Sequence, residues 1–133
     1  MNKKCVLVTG SSIGLGTSII RKYASMGYNT IITYNSHKDE AIKLQKEIKD
    51  KYNTESLVIK CDISKEEDIE NLRHEIISKF NKLDVLVNNA SIAIDTTFSD
   101  KTKENYMKIL EVNLVGTFLV SKIMSIKFKG SSS

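Results

Sequence analysis

The sequence predicts an α/β fold, a parallel sheet of strand order 3-2-1-4 with helices on both faces. Three observations carry this. Short β-rich runs alternate with longer runs of helical period. The strands recur about 25 residues apart, a spacing that suits right-handed strand–helix–strand crossovers. A glycine-rich turn joins the first strand to the first helix.

Each element has a local reason. Residues 4–9 (KCVLVT) are nearly all apolar or β-branched, the pattern of a strand buried on both faces. After the glycine-rich turn, Leu15, Ile19, Ile20, Tyr23 and Ala24 form a helical stripe, closed by Met26-Gly27 with Gly27 as the cap. Residues 30–34 (TIITY) make a second strand. Ala41, Leu44, Ile48 and Tyr52 then recur at three- and four-residue steps, predicting a helix that ends near Tyr52-Asn53. Residues 56–60 (SLVIK) make the third strand. Ser64 followed by Glu67 reads as a capping box. The helix it opens has a stripe of Ile69, Leu72, Ile76 and Phe80, with His74 facing solvent. Residues 83–87 (LDVLV) make the fourth strand. A polar loop rich in Thr, Ser and Asp follows. A last helical region runs from about Asp100 to about Phe128 and changes character near Glu111.

Composition narrows the function classes. The chain has 133 residues, 41% of them hydrophobic and 27% charged, which suits one globular domain. We expect that domain over residues 1–129. The Gly130-Ser-Ser-Ser133 tail reads as a flexible end, an engineered scar or a point where the chain was cut. No run of eighteen apolar residues exists and the N-terminal apolar run is too short for a signal peptide, so the expected location is cytoplasmic, with no membrane partner. The net charge of +4 comes from Lys interleaved with Glu and Asp along helices. Such runs read as solvated faces, and base-stacking aromatic motifs are missing, so no nucleic-acid partner is expected. Cys5 and Cys61 form no CxxC pair and read as buried thiols. His37 and His74 have no ligand partners at metal-binding spacing, so no metal is expected.

The turn Thr9-Gly10-Ser11-Ser12-Ile13-Gly14-Leu15-Gly16 carries the chemistry. Glycines at a strand-to-helix turn let backbone approach a phosphate, and the helix offers free N–H groups with the positive end of its dipole. A bare turn without a ligand is the plainer reading. Thr17, rather than Lys, follows Gly16, which disfavours a nucleoside-triphosphate loop. The spacing is Thr-Gly-x-x-x-Gly-x-Gly, and here the sequence resembles the short-chain dehydrogenase/reductase family. Three further segments match in register: Cys61-Asp62-Ile63-Ser64 after the third strand, Asn88-Asn89-Ala90 ending the fourth, and residues 111–116 (EVNLVG) in the last helical region. The resemblance runs from Lys3 to about Lys129. It leans toward members like 3-oxoacyl-(acyl carrier protein) reductases or glucose dehydrogenases.

The resemblance implies a Rossmann-like fold, an NAD(P) cofactor and roles for named residues. Gly10 permits the tight turn, Gly14 lets the pyrophosphate approach and Gly16 lets helix and strand pack closely. Ser11, Ser12 and Ile13 offer donors to the phosphates. Asp62 accepts from the adenine amino group beside the Ile63 backbone; otherwise it is a helix-start carboxylate. Asn89 and Ala90 line the ribose and nicotinamide side, while Asn88 either stitches strands or touches cofactor. Asn113 sits at a helix irregularity and holds a water of the proton relay; otherwise it is a polar helix residue bonded to nearby backbone. Ser91 departs from the family's Gly, and its Cβ makes close approach costlier. Tyr34 and Asn35 stand where NAD users in the family often have Asp. With no carboxylate to repel a 2′-phosphate, NADP is favoured over NAD.

The family's reaction also uses a Tyr-x-x-x-Lys pair on one helix face and an upstream Ser. The Tyr exchanges a proton with the substrate oxygen, and Lys lowers its pKa. In the family these lie beyond the Asn113 helix. Tyr34 and Lys38 fit the spacing, but at a strand–helix junction, and read as a decoy. The expectation is therefore the N-terminal half of an oxidoreductase for a small carbonyl or alcohol substrate, inactive alone. A non-catalytic dinucleotide-binding module and a non-functional gene fragment are the alternatives. The apolar run on the Asn113 helix suggests a homo-oligomer through that helix.

Overall fold

The computed structural model describes residues 3–91 and 100–129, with backbone alone for 126–129. The expected tail at 130–133 and most of the polar loop, residues 92–99, lie outside the described residues. The elements run β1 (Cys5–Val8), α1 (Leu15–Ser25), β2 (Asn29–Tyr34), α2 (Lys38–Tyr52), β3 (Ser56–Lys60), α3 (Glu66–Lys79), β4 (Val85–Val87), α4 (Lys103–Leu110), a π-helical segment Glu111–Gly116, and α5 (Thr117–Lys129). The strands form one parallel sheet of order β3-β2-β1-β4, as the strand spacing predicts.

β1 is central and apolar because both of its faces are covered. Cys5 and Leu7 point into one core, with Ile31 of β2, Ile69, Leu72 and Ile76 of α3, and Val120, Ile123 and Met124 of α5. Val6 and Val8 point into the other, with Ile20 and Ala24 of α1 and Ala41, Leu44 and Ile48 of α2. The period-two alternation of one strand thus serves two layers.

Helix ends follow local chemistry. α1 closes by paired bonds, Gly27 N–H to Ala24 O at 2.9 Å and Tyr28 N–H to Tyr23 O at 3.1 Å, the Schellman arrangement. α2 and α3 end near left-handed asparagines, Asn53 (φ 56°) and Asn81 (φ 57°), a conformation Asn tolerates better than most residues.

Two expectations need correction. Ser64 and Glu67 form no capping box: α3 starts at Glu66 behind Lys65, with no side-chain cap. The Ser64 hydroxyl instead donates to Asp62 Oδ1 at 2.7 Å, drawn by the nearer carboxylate. A capping box does occur at α4, where Thr102 Oγ1 accepts from Asn105 N–H and Asn105 Oδ1 accepts from Thr102 N–H, both at 3.1 Å. Its third residue is Asn, outside the usual Glu/Gln pattern. Leu15, placed in the α1 stripe, is 70% exposed because it opens the helix beside the cleft described next.

Candidate functional site

A cleft of about 520 Å³ opens at the carboxyl ends of the strands. Gly10 and Ser12 reach it beyond β1, Tyr34 to His37 beyond β2, Cys61 beyond β3, and Asn89 to Ser91 beyond β4. β1 pairs on one side with β2 and on the other with β4, so the chain's winding reverses beside β1. Open parallel sheets bind ligands at such a switch point.

Threonines build the turn. The buried Thr9 Oγ1 accepts from Asn89 N–H (3.0 Å) and from Ala90 N–H (2.9 Å), while Thr9 N–H donates to Val87 O (3.1 Å). Asn89 Nδ2 donates to Gly10 O at 3.0 Å. Thr33 of β2 holds the other side. Its Oγ1 accepts from Gly10 N–H (2.9 Å), its N–H donates to Ser11 Oγ (3.1 Å), and its carbonyl accepts from Ser11 N–H (3.2 Å). The turn is therefore fixed to both neighbouring strands before any ligand arrives.

Two glycines are required by this closeness. Gly10 has φ +61°, and a Cβ there would lie 2.8 Å from Ala90 Cα. A Cβ on Gly16 would lie 2.6 Å from Gly10 O and 2.7 Å from Asn89 Nδ2. Gly14 differs, since nothing stands within 4 Å of its would-be Cβ. That open space, next to the start of α1, is what an approaching phosphate needs. No acceptor among the described residues takes the N–H of Ser12 or Ile13, and both residues line the cleft.

The structure sorts the sequence-predicted residues. Gly10, Ser12, Ile13, Tyr34, Asn35, Asn89, Ala90 and Ser91 line the cleft. Ser11 is fully buried, with its N–H spent on Thr33, so its backbone is not a phosphate donor. Gly14 and Gly16 shape the turn from behind the lining. Asn88 donates to Ser121 Oγ at 3.0 Å and ties β4 to α5. Cys61 lines the cleft where Asp62 was expected to reach, and Ile63 is buried against Gly116, whose Cβ would lie 2.8 Å from Ile63 O. Asn113 lies in the π-helical segment, the expected irregularity, one residue from the cleft-lining Val112. Sequence reading missed Thr33, Leu15, Ser36, His37, Cys61 and Val112 as cleft builders. Thr9 was seen only as part of a motif.

Electrostatics are set by burial and by short hydrogen bonds. For Asp62, burial opposes ionisation, but the Ser64 hydroxyl and N–H (2.7 and 3.0 Å) together with Lys65 and Lys108 outweigh it and hold the carboxyl below the ordinary aspartate range. Burial pushes the Cys61 thiol up to about 12 and the Cys5 thiol up to about 11, so both stay protonated near neutral pH. Tyr34 ends β2 and Lys38 begins α2, so this Tyr-x-x-x-Lys spacing does not lie along one helix face.

A parallel sheet with a glycine turn at its first strand, helices on both faces and a cleft at the switch point defines a Rossmann-like domain. Within that class, residues 4–133 match the short chain dehydrogenase family, and the chain belongs to it. It is 37% identical over 118 residues to the 3-oxoacyl-(acyl-carrier-protein) reductase FabG of Staphylococcus epidermidis, covering 89% of this chain and 48% of that protein. It is 34% identical over 128 residues to the NADP-dependent mannitol dehydrogenase of Alternaria alternata, covering 95% of this chain and 48% of that one. A variant short-chain dehydrogenase/reductase from Serratia marcescens superposes with a TM-score of 0.85 at 26% identity, covering 92% of this chain and 49% of that chain. The chain thus spans about half the length of the relatives it matches.

Proposed function

We propose that this chain forms the dinucleotide-binding half of an NAD(P)-dependent oxidoreductase that interconverts a carbonyl and an alcohol on a small molecule. The single observation behind this is the Thr9–Gly16 turn, braced by Thr9 and Thr33 and opening on a cleft with two unspent N–H donors. The cofactor, when bound, supplies or accepts hydride. This chain's part is to hold it. Ser12 and Ile13 N–H groups and the start of α1 receive the pyrophosphate. Tyr34 and Asn35 flank the adenosine ribose. Asp62, beside cleft-lining Cys61, accepts from the adenine amino group through Oδ2, since both Ser64 bonds go to Oδ1. Ala90 and Ser91 border the nicotinamide side, and Asn113 positions a water for proton transfer.

NADP is the favoured cofactor, because among the described residues no carboxylate lines the cleft to repel a 2′-phosphate. A cytoplasmic location fits this role, and among the described residues no helix is long and apolar enough to cross a membrane. The chemical step needs a Tyr–Lys pair that these 133 residues do not supply, since the sole matching spacing is split between β2 and α2. For these residues taken by themselves, the second reading is a binding module without catalysis. Self-association through the Asn113 helix fits the exposed Leu114 and Val115 of the π-helical segment and Phe118 of α5.

Titration of the purified chain with NADPH and NADH tests the binding claim, and a carbonyl reductase assay tests the catalytic one. Saturable binding without turnover is expected. Lack of binding by either dinucleotide at millimolar concentration overturns the first claim, and turnover by this chain alone overturns the second.

A further inference from the structure

A second hollow lies at the other end of the sheet, where the chain passes from α2 into the amino end of β3. Its volume of about 370 Å³ is within the range of small-molecule sites. Lys46 and Lys49 of α2 and Lys79 of α3 line it, and Glu55 is the one carboxylate among the described lining residues, which leaves an excess of two positive charges. Glu55 Oε2 holds Lys49 Nζ at 2.8 Å. Neither Lys46 nor Lys79 has an ion-pair partner among the described residues. The same hollow has an unspent hydroxyl. Thr54 lines it and is 1% exposed, and its Oγ1 has no hydrogen-bond partner among the described residues. Buried hydroxyls are nearly always paired, and an unpaired one is costly. We propose that this hollow is a second ligand site, for a phosphate dianion that is free or carried by a small organic molecule, with Thr54 Oγ1 and the ammonium groups of Lys46, Lys49 and Lys79 as its donors.

Lys49 and Lys79 also stand in the last turns of α2 and α3, where a cation answers the negative end of the helix dipole. The dipole accounts for those two positions. It accounts neither for Lys46, earlier in α2, nor for a buried hydroxyl left open beside it. The neighbouring polar groups are spent: Gln45 Nε2 donates to Ser56 O at 3.2 Å, and the Ser56 and Thr30 hydroxyls share a bond of 2.9 Å. A phosphate oxygen supplies the acceptor that Thr54 lacks, and hydrogen bonds to a charged oxygen are the stronger kind. The short bond from Lys49, then the charges of Lys49, Lys79 and Lys3, hold the Glu55 carboxyl below the ordinary glutamate range. Glu55 is therefore ionised near neutral pH, and the positive excess stands with its charge already counted. An adjoining hollow shares Glu55 and Lys79 and adds Lys3 and Lys82, the latter bound to Asp84 at 3.2 Å. The site lies away from the strand-end cleft and does not depend on the dinucleotide reading.

The test is an amide NMR titration of the chain with inorganic phosphate and, separately, with glycerol 3-phosphate. Ionic strength is held constant, so that screening of exposed charges is the same at every point. Saturable shifts are expected at Thr54, Glu55, Ser56 and Lys79, with a Kd of about 1–10 mM. Tighter binding of the ester assigns the phosphate to a small organic molecule and equal binding assigns it to the free ion; both support the site. Shifts at Ser12 and Ile13 report the cleft and are fitted apart. Thr54→Val should raise the Kd about tenfold, the loss of one hydrogen bond to a charged group. Lys46→Gln should raise it about threefold, the size of an exposed charge pair. Lys43→Gln, at an exposed α2 position outside the hollow, should leave it unchanged. The two lysine variants keep the test decisive should Thr54→Val lose the fold. An unchanged Kd in a folded Thr54→Val, equal losses in Lys43→Gln and Lys46→Gln, or no saturation at Thr54, Glu55 and Ser56 by about 50 mM of either probe overturns the site.

Discussion

Replacing Thr9 with Val isolates the brace that holds the glycine turn. Valine matches threonine in shape and keeps the β-branch, so β1 retains its packing. What disappears is the Oγ1 acceptor for two N–H groups, those of Asn89 and Ala90. Each unmet buried donor costs about 1–3 kcal/mol. Asn89 and Ala90 are only partly buried, which puts the combined loss at the low end, about 2–3 kcal/mol. Unfolding entropy for a chain of this length is about 0.28 kcal/mol per degree, so Tm should fall by about 7–11 °C. Thr54→Val is the internal control. Thr54 and Thr9 are both 1% exposed, but Thr54 Oγ1 has no hydrogen-bond partner among the described residues. Removing it should leave stability unchanged or raise it by up to about 1 kcal/mol. Circular dichroism melts of the three proteins decide the matter. Equal Tm values for Thr9→Val and wild type, or equal losses in the two variants, would refute the bracing argument.

Other expectations follow the same geometry. Gly10→Ala adds a 2.8 Å clash to a positive φ and should cost about 2–5 kcal/mol, whereas Gly14→Ala, with open space around it, should cost only the backbone strain of a conformation (φ 61°, ψ −141°) that side chains rarely adopt, about 1–3 kcal/mol; chemical denaturation gives both values. Asp62 has a folded pKa below its unfolded one, so its contribution to stability is complete above the unfolded value of about 4 and vanishes as pH falls through the folded pKa. Wild type should therefore lose its advantage over Asp62→Asn in acid melts, and a constant difference down to about pH 2 would contradict this. Cys5 and Cys61, buried and protonated, should react with a thiol reagent only on unfolding, as a native-state kinetic assay would show. Phe118→Ser should reduce self-association measured by sedimentation, because Leu114, Val115 and Phe118 are 64%, 48% and 60% exposed.

Strand order, both cores and the helix stripes were legible because they follow from periodicity, which is local. Ile69, Leu72 and Ile76 are buried where spacing puts them, and His74 is exposed. The brace was not legible, because Thr9 meets Asn89 and Ala90 across about eighty positions and Thr33 meets Gly10 and Ser11 across about twenty. A motif marks such residues without saying what they touch. Ser11 shows the consequence: next to the glycine it looks like a phosphate donor, yet β2 claims its N–H. Ser64 misled for a different reason, since two acceptable partners lay within reach and the carboxylate two residues away won over the helix.

The central claim is that the cleft at the strand ends holds a dinucleotide. The most direct measurement is a backbone amide NMR titration of the chain with NADPH. The account predicts saturable shifts at Gly10, Ser12, Ile13, Asn35, His37 and Ala90, with the amide protons of Ser12 and Ile13 among the most affected. Absence of saturation, or shifts clustered at the amino ends of the strands around Lys3, Asn29 and Glu55, would contradict it.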